Sequence, residues 1–114
     1  MISDGTTSTL AGIGTAGSTN GAGDVASFNL PTGITTDGTY LYITEFGSHT
    51  VRKITIGVSA AASTVALLAG TVGISGTVSG TGSAAKFDGP VGITTDGSNL
   101  YVSDYTGHTI RKIQ

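Results

Sequence analysis

A tandem repeat constrains this chain more than any other feature. The segment PTGITTDGTYLYITEFGSHTVRKI begins at Pro31 and returns from Pro90 as PVGITTDGSNLYVSDYTGHTIRKI, a period of 59 residues. Aligning Gly21–Ile54 with Gly80–Ile113 gives 18 identities in 34 positions. A period of this size marks one supersecondary unit used twice, and such a unit buries one face against a neighbour. Two units are too few for a closed architecture. The repeat therefore predicts assembly more directly than it predicts chemistry.

The units read as strands. In the first, alternating and β-branched residues predict strands over Gly33–Asp37, Leu41–Glu45 and Thr50–Ile54. The second gives Gly92–Asp96, Leu100–Asp104 and Thr109–Ile113. Asp37-Gly38 and Asp96-Gly97 turn the first strand into the second, because Gly accepts the positive φ of a tight hairpin. Pro31 with Gly33 and Pro90 with Gly92 mark the start of each unit. A fourth strand reads as Ser63–Ala69, and its N-terminal counterpart as Ser8–Ala11. Long Gly-rich loops, Gly12–Leu30 and Gly70–Gly89, lead from each fourth strand to the next Pro, with Phe28 and Phe87 placed to pin them to the core. No stretch predicts a helix.

Composition agrees. Charged residues make up 11% of the 114 residues, against about 25% in typical domains. Hydrophobic residues reach 38%, and 19 glycines and many threonines complete a β-rich composition; disorder usually brings high charge and few β-branched residues. The net charge is −2. Four of the five basic residues are two copies of one pair, Arg52-Lys53 and Arg111-Lys112. That leaves no basic stripe for phosphates, so no nucleic-acid partner is expected. Without Cys there are no disulfides and no thiolate metal sites. MISDGTT has no apolar signal-like core and no run approaches a membrane span, so no membrane partner is expected either.

The order of strands carries an assembly prediction. The chain begins on a fourth strand, runs through a whole unit from Pro31 to Ala69, and ends on three strands, 90–113. Joined head to tail, Ser8–Ala11 of one copy completes the second sheet of another and removes an exposed edge. Two such similar repeats of low charge suit a segment of a longer repeat protein or an engineered one.

Three runs resemble the NHL repeat: Pro-x-Gly-Ile-Thr-Thr-Asp-Gly, then Leu-Tyr-(Ile/Val)-(Thr/Ser)-(Glu/Asp), then His-Thr-(Val/Ile)-Arg-Lys-Ile. Glu45 and Asp104 match the family's acidic position and His49 and His108 its His, while Ser48 and Gly107 stand where the family usually has Asn. The resemblance implies an all-β fold of two four-stranded propeller blades per chain. It implies closure by oligomerisation as a six-bladed homotrimer, and a bacterial secreted or cell-surface setting. Propellers close with four to eight blades, and a heterologous contact closes whenever its rotation does.

Candidate sites follow from that frame. The Gly12–Gly17 run has dinucleotide-binding spacing but no helix start after it, so it reads as a loop. His49 and His108 recur at one repeat position beside Glu45 and Asp104, which reads as a hydrogen-bonding network in each blade; a metal needs three or four convergent ligands. Asp37 and Asp96 read as turn residues, with a ring of carboxylates binding a hard cation as the sharper alternative. Arg52-Lys53 and Arg111-Lys112 read as solvated charge on outer strands. Tyr42 and Tyr101 read as core residues whose hydroxyls need partners. No catalytic residues and no cofactor are expected. The favoured function is a non-catalytic, self-assembling scaffold or binding module for a protein or carbohydrate, with Phe46, Ser48, His49, Tyr105, Thr106 and His108 on its ligand-facing loops. The alternative is a metal-dependent hydrolase or lyase with a cation in the channel.

Overall fold

The computed structural model describes residues 2–114. Eight strands form two antiparallel sheets. In the first sheet, β2 (Pro31–Thr36), β3 (Tyr40–Glu45), β4 (Thr50–Thr55) and β5 (Thr64–Ala69) make a meander, and β1 (Gly21–Ala22) lies on the far edge of β5. The second sheet contains β6 (Pro90–Thr95), β7 (Leu100–Asp104) and β8 (Thr109–Ile113). A single 3-10 turn, Gly82–Ala84, lies in the second long loop. The fold is all-β, as the alternation predicts.

Two details differ from the sequence reading. The first sheet has five strands where four are expected, because Gly21 and Ala22 pair with Val65 and Thr64 and cover the edge of β5. A two-residue strand of small side chains carries no alternation to read. Ser8–Ala11 forms no ladder within the chain. Its end is nonetheless held: the Gly12 N–H donates to Gly23 O at 2.9 Å, and Leu10 and Ala11 pack on the first core. The second repeat makes the same bond from Gly70 N–H to Gly82 O at 3.1 Å.

The hairpin turns follow from side-chain chemistry. Asp37 Oδ1 accepts the N–H groups of Thr39 and Tyr40 at 2.9 and 2.8 Å, and Gly38 takes φ +94°. Asp96 does the same for Ser98 and Asn99, with Gly97 at φ +95°. The carboxylate thus supplies the acceptor that closes the turn, and Gly supplies the left-handed backbone.

Two cores hold the sheets. Ala26, Ile43, Ile54 and Val65 are buried together in the first blade. The other core lies between the blades: Val51 and Ala69 from the first sheet meet Ala85, Phe87 and Val102 of the second repeat. Alternation explains the split, since on β4 Arg52 and Ile54 face one way and Val51 the other. Polar contacts lock the same seam. The Thr32 and Thr44 hydroxyls donate to Pro90 O and Val91 O at 3.1 and 2.9 Å. Gly33 is required there, because a Cβ would land on the Val91 carbonyl. Gly33 of the first Pro-x-Gly is therefore a device for close approach of one blade to the next.

Candidate functional site

The two turns after β3 and β7 form one end of the molecule. Each ties to the last residues of its long loop: Phe46 and Gly47 N–H donate to Leu30 and Asn29 carbonyls. Likewise Tyr105 N–H donates to Gly89 O, and Thr106 and Gly107 N–H to Asp88 O. The long loops and short turns therefore form a single surface. Tyr105 is 72% exposed and Thr106 and His108 are also exposed, while Phe46 and His49 are half-buried.

Ser48 belongs to the interior instead. It is 1% exposed, and its hydroxyl shares a hydrogen bond with Thr50 Oγ1 at 2.9 Å. This corrects its place among the ligand-facing residues: the turn folds its small polar side chain down onto the blade's buried network.

Both histidines take left-handed backbone, φ 60° at His49 and 55° at His108, an uncommon conformation for a residue with a Cβ. His49 does not bond to the Glu45 side chain as the sequence reading expects. Its Nδ1 accepts the Gly89 N–H of the second repeat at 3.0 Å, across the seam between blades. The imidazole must be neutral there to accept.

Glu45 is fully buried and engaged elsewhere. Its Oε1 pairs with Arg52 at 3.0 Å and accepts the Thr50 hydroxyl at 2.9 Å, while Oε2 accepts the Asn29 N–H at 2.7 Å. Arg52 overturns the expectation of solvated charge: it is 1% exposed. Its guanidinium donates to Ser27 O and Thr19 O at 3.0 and 2.9 Å and to Asn20 Oδ1 at 2.8 Å, and it stacks over Phe28 at 5.0 Å. The physical reason is the fork geometry of Arg, whose several donors can satisfy loop carbonyls that would otherwise be stranded. Lys53 keeps its ammonium 3.7 Å from the Tyr40 ring centre.

The second blade repeats this arrangement imperfectly. Arg111 bonds Asp104 Oδ2 at 3.2 Å, Lys86 O at 2.6 Å and Val78 O at 2.8 Å, and lies over Phe87 at 4.9 Å. Its side chain is 12% exposed. Asp104 Oδ1 and Thr109 Oγ1 have no hydrogen-bond partner among the described residues. Burial pushes the Asp104 carboxyl up, against the pull of the Asp88 N–H and Arg111.

Asp37 and Asp96 lie at the opposite turns with both oxygens in use. Their Oδ2 atoms accept the hydroxyls of Tyr42 and Tyr101 at 2.7 and 3.0 Å. Hydrogen bonds from the Tyr40 N–H, the Tyr42 hydroxyl and the Thr39 N–H hold Asp37 down at about 2, and burial with the Asp37 charge lifts Tyr42 to about 12. The tyrosines are half-buried rather than core, and their hydroxyl partners are these turn carboxylates. Among the described residues no three His, Asp or Glu side chains lie close enough to share a metal ion.

Sequence reasoning missed the buried Glu45–Arg52 pair, although a signal was present. An acid and an Arg seven residues apart recur in both repeats of a charge-poor chain, and Arg52 pairs directly with Ile43, so it shares the face of a buried residue.

No family model matches the chain, and no curated protein does. Solved structures do. One from Bacteroides thetaiotaomicron, described as a structural genomics protein of unknown function, is 26% identical with a TM-score of 0.78 over 90% of this chain. An auxiliary nutrient binding protein from Bacteroides ovatus is 25% identical with a TM-score of 0.71 over 88%. Another from Bacteroides thetaiotaomicron, at 22% identity and TM-score 0.67 over 89%, shares the fold. The chain spans about a quarter of each of these, 26% of their length. The chain thus has the all-β fold of part of larger proteins, two of them described as auxiliary nutrient binding proteins.

Proposed function

We propose that the chain is a blade pair of an NHL-type propeller, a non-catalytic module that binds a carbohydrate at the end carrying the Phe46 and Tyr105 turns. Three copies close its six-bladed ring. One observation carries this reading: at that end the exposed side chains include an aromatic ring, a hydroxyl and an imidazole beside the apolar Leu30, while the acids and arginines beneath them are engaged in holding loops. An aromatic face flanked by neutral hydrogen-bonding groups suits a sugar, which offers apolar C–H faces and many hydroxyls. The Bacteroides ovatus nutrient binding protein supports a binding role for this type of fold.

The test is calorimetric titration of the purified chain with neutral oligosaccharides, followed by Tyr105→Ala and His108→Ala. We expect at least one sugar to bind and each substitution to weaken it by about tenfold, the loss of one good contact. Unchanged affinity in both variants, or turnover of the sugar, overturns the reading.

A further inference from the structure

The turn that presents Phe46 and the turn that presents Tyr105 and Thr106 meet over one residue, Gly89. Its N–H donates to His49 Nδ1 of the first turn at 3.0 Å, and its carbonyl accepts the Tyr105 N–H of the second at 2.8 Å. The backbone of a single residue thus sets the spacing of both turns. The same long loop adds further ties: Gly73 N–H donates to Ser48 O at 2.9 Å, and Asp88 O accepts the N–H groups of Thr106 and Gly107. The turns of the two blades therefore make one preorganised surface across the seam, and preorganisation lowers the cost of binding.

Gly89 also keeps that surface open. It takes φ +65°, and a Cβ there would stand 2.9 Å from Phe46 Cε1 and 2.5 Å from Thr106 Oγ1. The edge of the Phe46 ring and the Thr106 hydroxyl therefore approach each other above a residue with no side chain. The surface carries two aromatic rings, one from each blade: Phe46, half-buried, and Tyr105, largely exposed. They do not stack on one another; among the described residues the ring pair in contact is Tyr40 and Tyr42. Charge stays back from this surface, with Asp88 half-buried against Gly107 and Asp104 paired with Arg111. The repeat counterpart of Gly89 is Leu30. Leu30 has the same left-handed backbone, φ 51°, and accepts the Phe46 N–H as Gly89 accepts the Tyr105 N–H. It brings an isobutyl group to the position that Gly89 leaves bare.

We infer that this surface is a strip for at least two linked neutral sugar rings, one strip per chain, laid across the seam between the blades with Gly89 at its middle. The inference rests on the carbohydrate reading above. One sugar ring stacks on Tyr105 and the next packs on the exposed part of Phe46, while the Thr106 hydroxyl bonds sugar hydroxyls between them. Once the first ring is held, the contact of the second is intramolecular, so affinity rises with chain length. The Leu30 side chain fills the equivalent passage in the other repeat, which therefore offers no second strip. The ligand class is an oligosaccharide and not a monosaccharide.

The test is calorimetric titration of the whole chain with glucose, galactose, mannose and xylose, and with the di- and trisaccharides built from each. The expected result is one site per chain, with a disaccharide at least about tenfold tighter than its monosaccharide, the worth of one good aromatic contact. Phe46→Leu keeps the apolar bulk and removes the ring, and Gly89→Ala sets a methyl against Thr106. Each should erase the gain from the second sugar and leave the monosaccharide affinity within about twofold. The ratio is taken within one variant, so partial unfolding lowers the bound fraction without moving it. A monosaccharide as tight as its trisaccharide overturns the strip and leaves the carbohydrate reading standing. A length dependence that both variants preserve overturns the placement across Gly89. Two equal sites per chain overturn the distinction between Gly89 and Leu30. Absence of binding in every series overturns the carbohydrate reading and the strip with it.

Discussion

The two blades share a sequence pattern yet differ in how completely their polar groups are satisfied. In the first, Glu45, Thr50 and Ser48 form a continuous chain of hydrogen bonds under Arg52, and among the described residues of that blade only the buried Arg52 Nε lacks a partner. In the second, Asp104 is one methylene shorter than Glu45, Gly107 stands in place of Ser48, and Thr109 Oγ1 and Asp104 Oδ1 are left over. The same strands also meet different surroundings: Val51 is covered and Ile110 is open. The contrast teaches that a repeat fixes which groups point where, while neighbours decide whether they are paired. A buried polar group without a partner costs more than a typical hydrogen bond returns, so the second blade should be the weaker one.

The sharpest way to break that comparison is Arg52→Met. It leaves Glu45 buried without its cation, and we expect a loss of about 3–5 kcal/mol, as for other broken buried pairs. Arg111→Met should cost less, because the Arg111 side chain is 12% exposed against 2% for Arg52, although Asp104 is buried as Glu45 is. Urea denaturation of both variants decides it, and equal losses would remove the distinction between the blades.

Next in size is Val51→Ala, which removes two buried methyl groups and should cost about 2–3 kcal/mol through lost burial and the cavity left behind. Ile110→Ala should be close to neutral in dilute monomer and, if the ring proposed above closes, approach the Val51 value at higher concentration. Thermal unfolding across protein concentration separates the two regimes.

A smaller effect sharpens the comparison from the other side. Gly107→Ser restores the hydroxyl that Ser48 supplies in the first blade, and should stabilise by about 1 kcal/mol, the net worth of one hydrogen bond. Crowding against Asp88, whose Cβ lies 3.2 Å from the new Cβ, works against part of that gain. A destabilised Gly107→Ser would show that the second network is not limited by this missing hydroxyl.

The smallest effect is confined to acid. The carboxyl of Asp37 is held down at about 2 in the fold, so it contributes stability above the ordinary carboxylate range and loses it as pH falls toward 2. Asp37→Asn should flatten the fall of melting temperature below about pH 4 and leave the curve above that range nearly parallel. An unchanged acid limb would count against the turn as its source.

Much of the fold was legible because it rests on local chemistry. Asp-Gly turns, the alternation of Leu-Tyr-Ile-Thr-Glu and the repeat itself place seven of the eight strands. The eighth, β1, has two small residues and exists only because β5 offers an edge. The site was less legible. Exposure of Tyr105, Thr106 and His108 follows from their turn, but the burial of Ser48 and Arg52 depends on loops folding over them, and the recurring acid–Arg spacing is the one sequence signal that points to it.

Arg52 has one last consequence. By joining Thr19, Asn20 and Ser27 to Glu45, it closes the long Gly12–Leu30 loop at several points with a single side chain. Elsewhere a cystine staple would restrain a loop of this length, at the mercy of thiol exchange. Here the restraint is a guanidinium, so the loop should keep its shape in oxidising and reducing surroundings alike.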